Sequence, residues 1–289
     1  MTAPDPWTPL RRHTAARIAL GRAGASLPTA EWLRFGVAHA LARDAVHLPF
    51  DSAALTAELH AHAFSTVTVE SAAPDRATYL RRPDLGRRLS ARSAALLAAL
   101  AGAQNDLVVV LGDGLSARAV HTQALPLLLE LRPWLEADGL RCGPLVLAHQ
   151  CRVALGDEVG ALLQARAVLV LIGERPGLSS PDSLGAYLTW APRPGCSDAQ
   201  RNCVSNIRFD GLLHADAARK IAWLLGAARR LGATGVGLKD ESDAPALPGA
   251  PGPALAAPTA PPAPPALPAS PASPALPALP AQSGRPSQR

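Results

Sequence analysis

An α/β fold is predicted: a Rossmann-like, doubly wound and mainly parallel sheet, with a helical N-terminal portion ahead of it and a disordered Pro/Ala-rich tail behind. Three observations predict it. Short continuous apolar runs at 107–111 (LVVVL), 145–148 (LVLA) and 167–172 (AVLVLI) end in glycine or polar residues, as strands buried on both faces of a parallel sheet do. Helical patterns lie between and after these runs. Composition then changes abruptly near Asp243.

Taken in chain order, residues 8–42 look mainly helical, and 66–69 is the one strand candidate within 1–102, so that stretch is expected to pack as a helical portion beside the sheet. Pro83 suits the first turn of a helix running to about Leu100, because Leu85, Leu89, Leu96 and Leu100 recur at helical spacing and Gly102 marks a stop. The other side of that helix carries Arg87, Arg88 and Arg92. Residues 103–243 form the α/β domain. Within it a helix over 117–137 is expected to break near Pro126 or Pro133, since proline removes a donor and clashes with the preceding turn. Further helices are expected over 157–165 and over 216–231, where Ile221, Leu224, Leu225 and Leu231 share a face before Gly232. Residues 201–207 alternate polar and apolar, as a strand or the approach to one. The segment 244–289 holds more than half of the chain's 29 prolines and no acidic residue, a composition that favours an extended tail. It is read as a solubilising appendage, with a partner-recruiting arm as the alternative.

Composition narrows the function classes. A chain of 289 residues with 48% hydrophobic content can bury a full core. Its longest apolar run, 94–101, is far short of the roughly 20 residues a membrane helix needs, and 1–10 has no signal-peptide core, so a soluble cytoplasmic protein is expected. Cys142, Cys151, Cys196 and Cys203 lack C-x-x-C spacing, which points to reduced thiols rather than zinc or disulfides. The net charge of +5 comes with arginines interleaved among acids and only 4% aromatics, so nucleic acid is not the expected partner. The eight histidines are scattered, with no metal spacing, and no G-x-S-x-G nucleophile elbow occurs.

Ligands of open parallel sheets bind at the carboxyl ends of strands, and three such ends carry candidate residues. After 107–111 come Gly112, Asp113, Gly114, Leu115 and Ser116, then a helix. The two glycines and the free N–H groups suit an anion, while Ser116 and Asp113 are equally able to serve as helix cap and turn support. After 167–172 comes Gly173-Glu174-Arg175-Pro176-Gly177, where a carboxylate in a stiffened loop is better explained by ligand contact than by packing. Cys151, Arg152 and Val153 follow the 145–148 strand, and Cys203 lies further on. Read alone, both cysteines and Val153 are ordinary small core residues.

Five ordered blocks carry a resemblance. They are 10–17 (LRRHTAAR) with Gly21-Arg22-Ala23-Gly24, 79–89 (YLRRPDLGRRL), Asp113-Gly114-Leu115-Ser116, 173–178 (GERPGL) and 203–207 (CVSNI). Together they resemble the small (light) subunit of adenosylcobalamin-dependent ethanolamine ammonia-lyase. The resemblance implies radical conversion of ethanolamine to acetaldehyde and ammonia in ethanolamine catabolism, started by a deoxyadenosyl radical from cobalt–carbon homolysis. It further implies a substrate site on a large-subunit partner, six large and six small subunits per complex, and a cytoplasmic enzyme either free or inside a bacterial microcompartment. This chain alone would be inactive. The family's corrinoid contacts fall on Val153, Glu174 and Cys203, which makes 103–243 a cobalamin-binding domain; no catalytic residue and no metal ligand is expected here. From the strand–loop–helix argument, and not from the resemblance, 113–116 is expected to meet a nucleotide-loop phosphate or ribose. Residues 44–75 match the family poorly and the tail lies outside its shared core. The alternatives are a stand-alone nucleotide- or phosphate-ester-binding enzyme using Asp113 and Glu174, and a purely structural subunit that turns its basic segments toward a partner.

Overall fold

Strands β1 (Thr66–Glu70), β2 (Asn105–Gly112), β3 (Leu145–His149), β4 (Ala165–Gly173), β5 (Leu184–Trp190) and β6 (Arg201–Ile207) form one sheet in the order β1-β3-β2-β4-β5-β6. They come from a computed structural model that describes residues 7–14, 16–102 and 104–243. The three predicted apolar runs are the cores of β2, β3 and β4, and the 66–69 and 201–207 candidates are β1 and β6. Pairing is parallel for β1 with β3, β3 with β2 and β2 with β4, then antiparallel for β4 with β5 and β5 with β6. The α/β class therefore stands, with three of the five pairings parallel as expected, but the antiparallel β5 and β6 make the sheet mixed rather than Rossmann-like and doubly wound.

Strand β5 was not anticipated. Its sequence, LGAYLTW, alternates rather than running apolar, because Leu184, Ala186 and Leu188 are buried on one face while Tyr187 is half-buried on the other.

Helices are α1 (Thr29–His47), α2 (Ser52–Ala61), α3 (Arg76–Arg81), α4 (Ala91–Ala99), α5 (Ala117–Ala137), α6 (Leu155–Leu162) and α7 (His214–Leu231). On one face, α2, α5 and α7 bury Leu55, Leu127, Leu131, Ile221 and Leu225 against Leu107, Val109, Leu111, Leu147, Leu169 and Leu171. On the other, α4 and α6 bury Leu97, Leu155 and Val159 against Val108, Val110, Val146, Val168 and Val170. The core is thus two apolar layers divided by the period-2 alternation of the central strands.

Several helix boundaries differ from expectation for physical reasons. The helix expected from Pro83 to Leu100 is interrupted because the backbone at 88–90 serves the sheet instead: Ala72 N–H donates to Arg88 O, Ser90 N–H to Glu70 O, and Leu89 N–H to the Glu158 carboxylate at 2.7 Å. Ser90 then caps the new helix α4 by accepting from Ser93 N–H. Helix α5 runs through both Pro126 and Pro133, because Leu127, Leu128 and Leu131 between them are anchored in the core. Helix α6 ends before Gln164, whose φ of +52° turns the chain so that Ala165 opens β4. Of the apolar face expected for α7, Ile221, Leu224 and Leu225 are buried, and Leu231 is exposed just before the left-handed Gly232 cap.

The N-terminal portion holds a 3₁₀ turn over Thr8–His13 and then α1, with no helix between them among the described residues. Helix α1 buries only Ala45 and exposes Trp32, Leu33, Phe35, Val37 and Leu41. Among the described residues no helix is long and apolar enough to cross a membrane. The disordered tail expected over 244–289 lies outside the described residues.

Candidate functional site

The loops after β2, β3 and β4 meet at one rim of the sheet. Strand β2 ends in Gly112, where a Cβ would press on Cys151, and the following turn needs Gly114, whose φ is +54° and whose Cβ would strike the Gly173 carbonyl. Gly173 sits equally close to the Ser116 carbonyl. These glycines let the ends of β2 and β4 touch, so that residues after each strand converge.

The side chains of Asp113 and Ser116 are engaged within the protein. Asp113 is buried, and its carboxylate accepts from Gln150 N–H at 3.0 Å and Cys151 N–H at 2.9 Å, with Arg76 Nη1 at 3.4 Å. Burial pushes its carboxyl above the usual range against those donors. Ser116 is fully buried, caps α5 through Ala119 N–H and donates to Pro181 O at 2.8 Å. The side chains of the expected phosphate or ribose loop therefore tie neighbouring loops together.

Val153 and Glu174 do face a common space. With Gly114, Leu115, Arg152 and Tyr187 they line a cleft of about 150 Å³ at the rim. Ser183 Oγ donates to Glu174 Oε2 at 2.5 Å, and Asn206 N–H reaches the same oxygen at 3.3 Å. Gly185 makes room for this carboxylate, since a Cβ there would stand 2.9 Å from Glu174 Oε1. Asn206 is in position because β6 carries a bulge: Leu184 pairs with Ile207 and Ala186 with Val204, leaving one extra residue in β6, and Asn206 takes φ of +59°.

Cys203 lies directly opposite Tyr187 in the β5–β6 ladder, so the third expected residue adjoins the same cleft. Burial raises its thiol, as it raises the Tyr187 hydroxyl, so Cys203 is held as a neutral thiol. Cys203 and Ser205, on the same face of β6, are exposed beside the cleft. Cys151, by contrast, is fully buried under the rim with its thiol raised further, and packs in the core.

Tyr187 was not singled out from the sequence, because it needed the unrecognised strand β5; Arg152 was named with Cys151 and Val153 at a strand end but given no role of its own. Its guanidinium lies 4.3 Å from the ring centre of Tyr79, and the Tyr79 hydroxyl donates to Cys151 O at 2.9 Å.

Larger hollows lie elsewhere, one of about 260 Å³ between Phe64, Arg132 and Cys142, and one of about 530 Å³ beside Trp223 and Lys239. Neither brings together more than ordinary surface chemistry. The rim cleft is too small to enclose a large macrocycle, for even drug-sized ligands occupy roughly 300–1,000 Å³. What it offers is one wall: an apolar side chain, a fixed carboxylate acceptor and a thiol next to an open stretch of sheet. Those groups fit the amide-fringed edge of a corrin ring, with none required as a cobalt ligand.

Comparison with known proteins places this rim in context. Residues 4–239 match the family described as ethanolamine ammonia-lyase light chain. The chain is 55% identical over 246 residues to the ethanolamine ammonia-lyase small subunit of Ralstonia nicotianae, covering 84% of this chain and 91% of that one. It is 57% identical over 246 residues to the small subunit of Xanthomonas campestris pv. campestris, covering 84% and 90%. For the small subunit of Pseudomonas fluorescens the identity is 54%, with the same 84% and 90% covered.

Proposed function

The chain belongs to the ethanolamine ammonia-lyase light-chain family, and from that premise we propose that it supplies one wall of an adenosylcobalamin site, a large subunit supplying the rest together with the substrate pocket. The observation that carries the proposal is the meeting of Val153, Glu174, Tyr187 and Cys203 at one rim of the sheet, around a cleft too small to close over the cofactor unaided. Residues 103–243 act as the cofactor-holding domain, and β1 from the N-terminal portion completes its sheet at one edge.

Bound adenosylcobalamin supplies the radical chemistry through homolysis of its cobalt–carbon bond. This chain's residues hold and orient. Glu174, fixed by Ser183 and by the bulged backbone at Asn206, accepts hydrogen bonds from ring amides. Val153 gives apolar contact, and Cys203 packs against the ring as a neutral thiol. The reaction is the conversion of ethanolamine to acetaldehyde and ammonia, in a complex of six large and six small subunits that is cytoplasmic, free or within a microcompartment. The exposed apolar residues of α1 support a chain that works inside a larger assembly, since soluble monomers seldom leave such surface bare.

Co-expression with a large subunit, followed by assay of ethanolamine deamination with and without adenosylcobalamin, tests the proposal. Activity that needs both chains and the cofactor is expected. Turnover by this chain alone, or a complex indifferent to the cofactor, refutes it.

A further inference from the structure

Arg152 is a half-buried guanidinium with no counter-charge. It lines the rim cleft, and its Nε is buried without a hydrogen-bond partner. No ion pair or side-chain hydrogen bond is made by Arg152 among the described residues; its contacts are the Tyr79 face and close packing at Gly86, where a Cβ would stand 2.9 Å from the Arg152 Cγ. Its backbone N–H donates to Gly86 O at 2.8 Å, and its side chain packs along Gly86 and the Tyr79 ring. Unpaired buried donors are rare in folded proteins, and a charge withdrawn from water without a partner is costly. An arrangement that keeps such a group in place beside a cleft is a site for an anion.

The neighbouring acids do not supply it. Asp113 is committed to two backbone N–H groups and to Arg76, and Glu174 Oε2 to Ser183 and Asn206. Arg175, exposed and without an ion pair among the described residues, stands on the same wall. The cleft thus presents two guanidiniums to one carboxylate that is already engaged.

We propose that Arg152, with Arg175, binds a phosphate-type anion at the rim, and that in the assembled enzyme this anion is the phosphodiester of the cofactor's nucleotide loop. The second half of the proposal rests on the reading of the rim as a corrinoid site; the first does not.

The test uses the complex of this chain with its large subunit. Equilibrium binding of hydroxocobalamin, which carries the phosphodiester, is compared with that of cobinamide, which lacks the nucleotide loop. Arg152→Gln is expected to weaken hydroxocobalamin binding roughly tenfold to hundredfold, the range for a lost charge-assisted hydrogen bond, and to leave cobinamide binding unchanged. Arg152→Lys should retain part of the difference. Equal losses for both corrinoids, or no loss for either, overturn the cofactor assignment. Inorganic phosphate is the second probe: it should raise the Tm of the wild-type complex and not that of Arg152→Gln. If the wild-type complex binds neither corrinoid, the proposed function fails, and the phosphate shift still decides the anion site. Its absence from wild type overturns that too.

Discussion

Ser183 Oγ and Glu174 Oε2 lie 2.5 Å apart, across the turn that joins β4 to β5. Ser183 is buried, so the Glu174 carboxylate is aimed by a group that itself does not move. Ser183→Ala should weaken cofactor binding by about 1.5–3 kcal/mol at most, the span for a hydrogen bond to a charged group. The loss should stay below that of Glu174→Ala, because Asn206 N–H remains. Corrinoid titration of the reconstituted complex checks the order of the two variants.

The pair of Arg201 with Asp157 should dominate the stability of the β6 edge. Arg201 Nη1 and Nη2 meet the two carboxylate oxygens at 2.5 and 2.7 Å, with both side chains only 2% exposed. Asp157→Ala leaves a buried guanidinium and should cost about 3–5 kcal/mol, read from urea denaturation. A cost under about 1 kcal/mol would mean that water, or Asp198 at 3.4 Å, compensates the charge.

Acid should loosen the fold before ordinary carboxylates titrate. Burial lowers the pKa of His121 and of His214 below the usual value of about 6.5. His121 Nε2 accepts from Asp51 N–H at 3.1 Å, a bond that a protonated ring cannot make. Between the folded and unfolded pKa values the unfolded chain binds more protons, so this stability is present above about pH 6.5 and is lost as pH falls toward the folded value. Urea midpoints should drop between pH 7.5 and 5.5, with a flatter profile in a His121→Gln/His214→Gln variant. A flat wild-type profile would contradict the assignment.

Gly114→Ala should damage the rim by forcing the ends of β2 and β4 apart. At φ of +54°, with the Gly173 carbonyl beside the new Cβ, the substitution should cost about 1–3 kcal/mol from overpacking alone. Urea denaturation measures it, and a neutral result would show that β2 and β4 can separate at this end.

Much of the frame was legible from the chain because buried parallel strands write themselves as unbroken apolar runs: β2, β3 and β4 are such runs, covered by helices on both faces. Strand β5 was not, since it is half-covered and its signal is the weaker alternation of Leu184, Ala186 and Leu188. The helix through Pro83 failed for a non-local reason, the demand of β1 for partners at Arg88 and Ser90. At the rim, Glu174 was legible from its stiffened strand-end loop, whereas Val153 and Cys203 were marked only by resemblance, and the meeting of the three depends on strand order. The role of Asp113 was undecidable without knowing that the Gln150 and Cys151 N–H groups lie beneath it.

The most direct test of the account is the cobalamin dissociation constant of the two-subunit complex rebuilt with Glu174→Ala, set beside its KM for ethanolamine. Cofactor affinity should fall while KM changes little if, as proposed, the residue holds the ring and the substrate pocket belongs to the other chain. Unchanged cofactor affinity in a properly assembled complex would contradict the claim that this rim touches the corrinoid.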